Sequence, residues 1–132
     1  METRLKALIV DDSELSRCMT GTIIGKVFSF DEAENGKDGV AKHRKAVESG
    51  TPYDIIFMDI VMPEMDGKEA VRRIREYETS QNLETKPIIM ISASEMLGDI
   101  EGLVSGLFRK PTSKELMNEL LQNIFNVTIS PI

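Results

Sequence analysis

Residues 54–63 read Asp-Ile-Ile-Phe-Met-Asp-Ile-Val-Met-Pro, a nearly unbroken apolar run that closes on Asp59. A run without polar alternation fits a strand buried on both faces, as in a parallel sheet covered by helices on each side. Three other runs share this plan. Ala7-Leu8-Ile9-Val10 closes on Asp11-Asp12, Pro87-Ile88-Ile89-Met90-Ile91 on Ser92, and Leu107-Phe108-Arg109 on Lys110-Pro111. In an open parallel sheet the carboxyl ends of the strands form one edge, and ligands bind there. The fold therefore gathers three carboxylates, one hydroxyl and one ammonium at one place. That set describes a site for a divalent cation and a phosphoryl group.

Between the runs lie longer stretches with helical spacing, the alternation of a doubly wound α/β domain. The first strand spans Leu5 to Val10. Ser13 caps the helix that follows, with Glu14 in its first turn and Leu15, Cys18, Met19 and Ile23 as packing residues. The second strand lies near Phe28 to Ala33, and Asn35 opens a helix running to about Glu48. His43, beside Arg44 and Lys45, reads as a solvated residue and not a phosphoryl donor. Asp66 and Glu69 form a capping pair ahead of Val71, Ile74 and Tyr77. Thr112 and Glu115 form another, opening a final helix with Leu116, Leu120, Leu121 and Ile124 on one face. Gly98, Gly102 and Gly106 fall in the stretch meant for the fourth helix, and each interior glycine costs about 0.8–1.0 kcal/mol relative to alanine. The expectation is a five-stranded parallel sheet of flavodoxin-like order, 2-1-3-4-5, with a short or frayed fourth helix. Residues 1–132 read as one domain, and 127–132 as a frayed tail.

The composition narrows the function classes. A net charge of −6 argues against a nucleic-acid surface, which needs a basic face. One cysteine, Cys18, excludes an internal disulfide framework and fits a reducing compartment. No apolar run approaches a membrane span, and Met1-Glu2-Thr3-Arg4 lacks the features of a secretory signal. A cytoplasmic protein is expected, with the nucleus as the alternative in a eukaryotic cell. Asn126-Val127-Thr128 matches a glycosylation pattern by chance in such a compartment. Gly21 to Val27 lacks the glycine spacing and the hydroxyl residue of a nucleotide-binding loop.

Taken together, Val10-Asp11-Asp12, Met58-Asp59-Ile60-Val61-Met62-Pro63-Glu64-Met65-Asp66-Gly67, Ser92-Ala93 and Lys110-Pro111 make the chain resemble the receiver domain of two-component response regulators. The resemblance implies that Asp59 accepts a phosphoryl group as an aspartyl phosphate. It implies Mg²⁺ as cofactor, held directly by Asp12, Asp59 and the backbone carbonyl of Val61, with Asp11 acting through water. Lys110 pairs with Asp59 at rest and with a phosphoryl oxygen after transfer, and Ser92 donates to another. The implied donor is a histidine kinase or a histidine phosphotransfer protein. The domain assists its own phosphotransfer and dephosphorylation without being an enzyme on a separate substrate, and a monomer is expected. Two carboxylates 4 Å apart repel by ~4 kcal/mol at an effective dielectric near 20, so a cation should stabilise the cluster. Val61, two residues after Asp59, and Ser94, two after Ser92, occupy positions that govern access of the hydrolytic water. Val61 offers that water no polar group, so a long-lived phosphate is expected.

Two departures stand out. Receivers usually carry Tyr or Phe three residues before the lysine, and here that residue is Leu107, with Phe108 directed to the other face. The span from Ser92 to Lys110 is also short by about one helical turn, ~5 Å. Signalling by docking near the first helix and the site loops is therefore expected. A haloacid dehalogenase-type phosphatase needs a second aspartate where Val61 stands. A degenerate receiver acting only as an interaction module is the remaining alternative.

Overall fold

The computed structural model describes residues 5–25, 27–92, 97–110 and 113–125. Five strands, β1 (Leu5–Val10), β2 (Phe28–Ala33), β3 (Ile55–Asp59), β4 (Ile88–Ser92) and β5 (Gly106–Arg109), form one parallel sheet in the order β2-β1-β3-β4-β5. Four α-helices cross between or follow them: α1 (Glu14–Ile24), α2 (Gly36–Glu48), α3 (Gly67–Ser80) and α4 (Lys114–Phe125). This is the expected topology. No described helix is long and apolar enough to cross a membrane.

Strand alternation divides the apolar runs between two cores. Leu8, Val10, Ile56, Met58, Ile88 and Met90 face α2 and α3, with Val40, Ala70, Val71 and Ile74 packed on them. Ala7, Ile9, Ile55, Phe57, Ile89 and Ile91 face the other way, against Ile24 of α1 and Met117 and Leu121 of α4. Each of these strand side chains is buried. At about 25 cal/mol per Å² of apolar surface, such two-sided burial is the main force holding the sheet. Phe108 joins the α1/α4 side and Leu107 the α2/α3 side, as alternation requires.

The helix starts follow capping chemistry. Ser13 accepts from Ser16 N, Asn35 from Asp38 N, and Asp66 from Glu69 N. The capping box at Asp66 is only half made, because the Glu69 carboxylate is taken by Arg72 and Arg73. At the last helix Ser113 Oγ accepts from Leu116 N, and Thr112, the expected capping residue, lies outside the described residues.

Several burial assignments shift as well. Leu15, Cys18 and Met19 are exposed, and α1 buries Thr20, Gly21 and Ile24 instead. A Cβ on Gly21 would lie 2.6 Å from the Phe30 ring, so glycine lets this helix face approach β2. On α4 Leu116 is exposed and Met117 takes its place in the core. His43 is not solvated. It is 4% exposed, on the stripe Gly36, Gly39, Val40, His43 and Ala46 of α2, edge-on to Tyr77 of α3.

Where a fourth helix was expected, Gly98–Leu103 forms a six-residue 3-10 helix, and Gly106 begins β5. Gly98 has φ +61°, a left-handed conformation that glycine adopts at little cost. The segment is tied to α3 by Arg75, whose Nε donates to the Leu103 carbonyl at 2.9 Å. The same guanidinium donates to the Lys86 carbonyl and to Glu78 at 2.7 Å, while Lys86 N donates to the second Glu78 oxygen. Ser94 and residues 127–132, for which fraying was expected, lie outside the described residues.

Candidate functional site

The parallel register brings the closing residues of the runs to one edge. Val10 lies beside Met58, Asp59 beside Ile91, and Ser92 beside Arg109. The residue after each of β1 and β5 then enters the same space. Lys110 N donates to the Ser92 carbonyl at 2.8 Å, which carries the lysine over the sheet edge. Asp11, Asp12 and Asp59 offer carboxylate oxygens within 4.8 Å of one another. Asp11 is 4% and Asp59 6% exposed, while Asp12 faces solvent. Ser92 is buried at the same edge.

Lys110 is the cation that bridges two of these carboxylates. Its Nζ lies 3.0 Å from Asp11 Oδ2 and 3.1 Å from Asp59 Oδ2. The remaining bonds fix each carboxylate. Asp11 Oδ1 accepts from Ser13 N at 2.9 Å, so the start of α1 orients it. Asp59 Oδ1 accepts from Ile60 N at 2.8 Å, which leaves Oδ2 for the lysine. Arg17, which the sequence did not single out, donates from Nη1 to the Asp11 carbonyl at 2.7 Å and pairs with Glu32. It steadies the Asp11 backbone from one turn into α1. No motif announces it.

Burial pushes the Asp59 carboxyl above the usual carboxylate range, and the neighbouring charge of Asp11 adds to this against the pull of Lys110. Burial works to lower the Lys110 ammonium, but the hydrogen bonds it donates to Asp11 and Asp59 outweigh it and hold the lysine above its ordinary value. Three carboxylates and one ammonium leave two negative charges in excess. An all-oxygen donor set with that charge fits Mg²⁺, which takes one or two carboxylates and keeps several waters.

The loop after β3 is compact. Gly67 N donates to the Ile60 carbonyl at 2.7 Å and Met65 N to the Pro63 carbonyl at 2.7 Å. Glu64 takes φ +65°. A Cβ on Gly67 would lie 1.9 Å from the Asp59 carbonyl oxygen, so only glycine fits there. Val61 stands out of this loop, 72% exposed.

Residues 7–125 match the response regulator receiver domain family. The chain belongs to that family. It is 34% identical over 124 residues to the two-component response regulator ORR41 of Oryza sativa subsp. japonica, covering 89% of this chain and 91% of that protein. It is 35% identical over 107 residues to probable histidine kinase 2 of Oryza sativa subsp. indica, covering 74% of this chain but only 10% of the kinase. Among solved structures, the CheX–CheY–BeF3–Mg²⁺ complex of Borrelia burgdorferi matches with a TM-score of 0.78 at 25% identity, over 92% of this chain and 89% of that one. The Ypd1–Ssk1 receiver complex of Saccharomyces cerevisiae shares the fold, with a TM-score of 0.74 at 21% identity, over 92% of this chain and 90% of that one. The protein is thus a receiver domain of two-component or phosphorelay signalling.

Proposed function

We propose that Asp59 accepts a phosphoryl group from a phosphohistidine donor, and that Asp11, Asp12, Asp59 and the Val61 carbonyl hold Mg²⁺ for the reaction. The observation that carries this is the Lys110 ammonium bridging Asp11 and Asp59 at 3.0 and 3.1 Å in a pocket of three carboxylates. An Asp59 oxygen attacks phosphorus, the phosphorus–nitrogen bond to the donor histidine breaks, and the histidine leaves with the electron pair. Bound Mg²⁺ supplies charge neutralisation for the anionic nucleophile and the phosphoryl oxygens. Lys110 follows the new negative charge from Asp59 Oδ2 to a phosphoryl oxygen. Ser92, at the adjacent strand end, donates to another.

The donor is a histidine kinase or a histidine phosphotransfer protein. The Ypd1–Ssk1 receiver complex supports the second class by analogy of fold. Leu15 and Met19 stand exposed one turn apart on α1, and Val61 and Leu116 are exposed on segments that follow the sheet edge. This apolar set suits a helical partner that delivers its histidine to Asp59 from above. Val61 offers no polar group to orient a hydrolytic water, which favours a slowly lost phosphate.

The test is intact mass after incubation with a small phosphodonor, with and without Mg²⁺, beside Asp59→Asn. One Mg²⁺-dependent phosphoryl adduct, absent in the variant, is expected. An adduct that persists in the variant would assign the acceptor elsewhere. Failure of both a small donor and a phosphotransfer protein to label the folded protein would make it an interaction module.

A further inference from the structure

The first residue of α2 touches the loop that carries the phosphoacceptor's neighbours. Gly36 N donates to the Met65 carbonyl at 3.0 Å. It is one of the amides that a helix start leaves without an intrahelical partner, and it lies at the positive end of the helix dipole. Here it is spent on a carbonyl of the β3–α3 loop. The approach is close. A Cβ on Gly36 would lie 2.3 Å from the Met65 carbonyl oxygen and 3.0 Å from the Asp66 carbonyl oxygen. Both are backbone atoms, so a side chain there cannot be accommodated by a rotamer change.

The loop between has little freedom to absorb such a push. At its near end Gly67 N holds the Ile60 carbonyl, and Gly67 is pressed against the Asp59 carbonyl. Met62 is buried in the α2/α3-side core and Met65 packs against it. At its far end Asp66 is already committed to capping α3. A displacement at Met65 is therefore passed along a short, doubly anchored segment toward Val61 and Asp59.

We infer that Gly36 is a positioning residue of the phosphorylation site, setting through the Met65 carbonyl where the 60–66 loop presents Val61 to the metal. This rests on the assignment of the Asp59 site above. Gly36 touches no reacting atom. Its effect is that of an outer partner of a metal site, where substitution typically costs 10–100-fold in metal affinity or activity.

Gly39 supplies the matched control. It lies on the same helix, and the three atoms nearest a Cβ there all belong to the Val10 side chain, the first at 2.9 Å. The experiment compares Mg²⁺ affinity by calorimetry, labelling rate by a small phosphodonor, and melting temperature in the wild type, Gly36→Ala and Gly39→Ala. Gly36→Ala is expected to weaken Mg²⁺ binding and slow labelling about tenfold or more. Gly39→Ala is expected to lose melting temperature while keeping the wild-type Mg²⁺ affinity. Equal Mg²⁺ affinity in the two variants would overturn the inference. Absence of Mg²⁺ binding or labelling in the wild type would instead overturn the site assignment itself. If Gly36→Ala does not fold, hydrogen exchange on the wild type decides. The Gly36 amide should exchange more slowly than that of Lys37 and slow further with Mg²⁺. Exchange as fast as Lys37, and indifferent to Mg²⁺, would sink the proposal.

Discussion

Two segments leave the same edge of the sheet and are built in opposite ways. The loop after β3 is fixed by backbone: Gly67 against Asp59, Gly36 against Met65, and a left-handed Glu64 between. The connection from Leu97 into β5 is a six-residue 3-10 helix with two glycines, held to α3 by the Arg75 guanidinium. The first holds the chemistry of the site rigid. The second replaces the fourth helix of the expected fold, seated in the α2/α3-side core by Ile100 and tied to α3 by one Arg75 hydrogen bond. Receiver chemistry thus needs the first segment in one geometry, while the second has been reduced with the sheet order intact.

The sharpest test of the first segment is Asp59 itself. Its carboxyl is held above the ordinary range, by burial first and then by Asp11, so ionisation costs more in the folded than in the unfolded chain. Its contribution to stability is therefore present at low pH and lost as pH rises through the folded value. At neutral pH without Mg²⁺, Asp59→Asn should melt higher than the wild type, and Mg²⁺ should raise the wild-type melting temperature more than the variant's. Equal Mg²⁺ responses in thermal melts would remove the metal from Asp59.

The second segment is broken through Arg75. Arg75→Ala leaves the Glu78 carboxylate buried beside His43 without its cation, and unties Leu103 and Lys86. Loss of one member of a buried pair costs about 3–5 kcal/mol. Urea unfolding should read that loss. Hydrogen exchange should accelerate from Leu103 to Leu107 and leave the 60–66 loop protected. Equal acceleration in both segments would erase the distinction between them.

A smaller effect sits at the far end of the α2–α3 pair, where His43, Val47, Pro52, Glu78 and Leu83 line a cavity of about 240 Å³. His43 Nδ1 is buried with no hydrogen-bond partner. Burial lowers this imidazole below the usual histidine value, Glu78 opposing and Arg75 and Arg44 adding to it. The unfolded chain therefore takes up its proton first as pH falls below about 6.5. Stability should decline from there until the pH passes the folded value. His43→Leu should flatten that part of a stability–pH curve, and an unchanged slope would assign the acid lability elsewhere.

The smallest effect belongs to Gly102, which has open space around its Cβ position and no positive φ. Gly102→Ala should stabilise by about 0.4–1 kcal/mol through the unfolded state. Gly98→Ala, at φ +61°, should destabilise. Chemical denaturation of the two variants checks whether the 3-10 segment is limited by chain entropy or by strain.

Much of this was legible in the chain. The apolar runs and their closing residues fixed the strands, their order by family resemblance, and the Asp11, Asp12, Asp59, Ser92 and Lys110 cluster. These features are written in consecutive residues, where burial on both faces leaves no alternation to misread. His43 was legible in principle, since Gly36, Gly39, Val40 and Ala46 mark the stripe it shares, but its charged neighbours masked it. Leu15 and Met19 misled in the opposite sense, because apolar spacing says that a face exists and not what covers it.

What only the tertiary structure decided is which groups meet across elements. The Arg75 guanidinium reaches Leu103 28 residues away and Lys86 11 away, and Lys110 reaches Asp59 across 51. Gly36 is a glycine because of a carbonyl at Met65. Helical and strand periods are local properties of the chain. Contacts of this kind depend on how the helices pack on the sheet, and no period along the sequence encodes them.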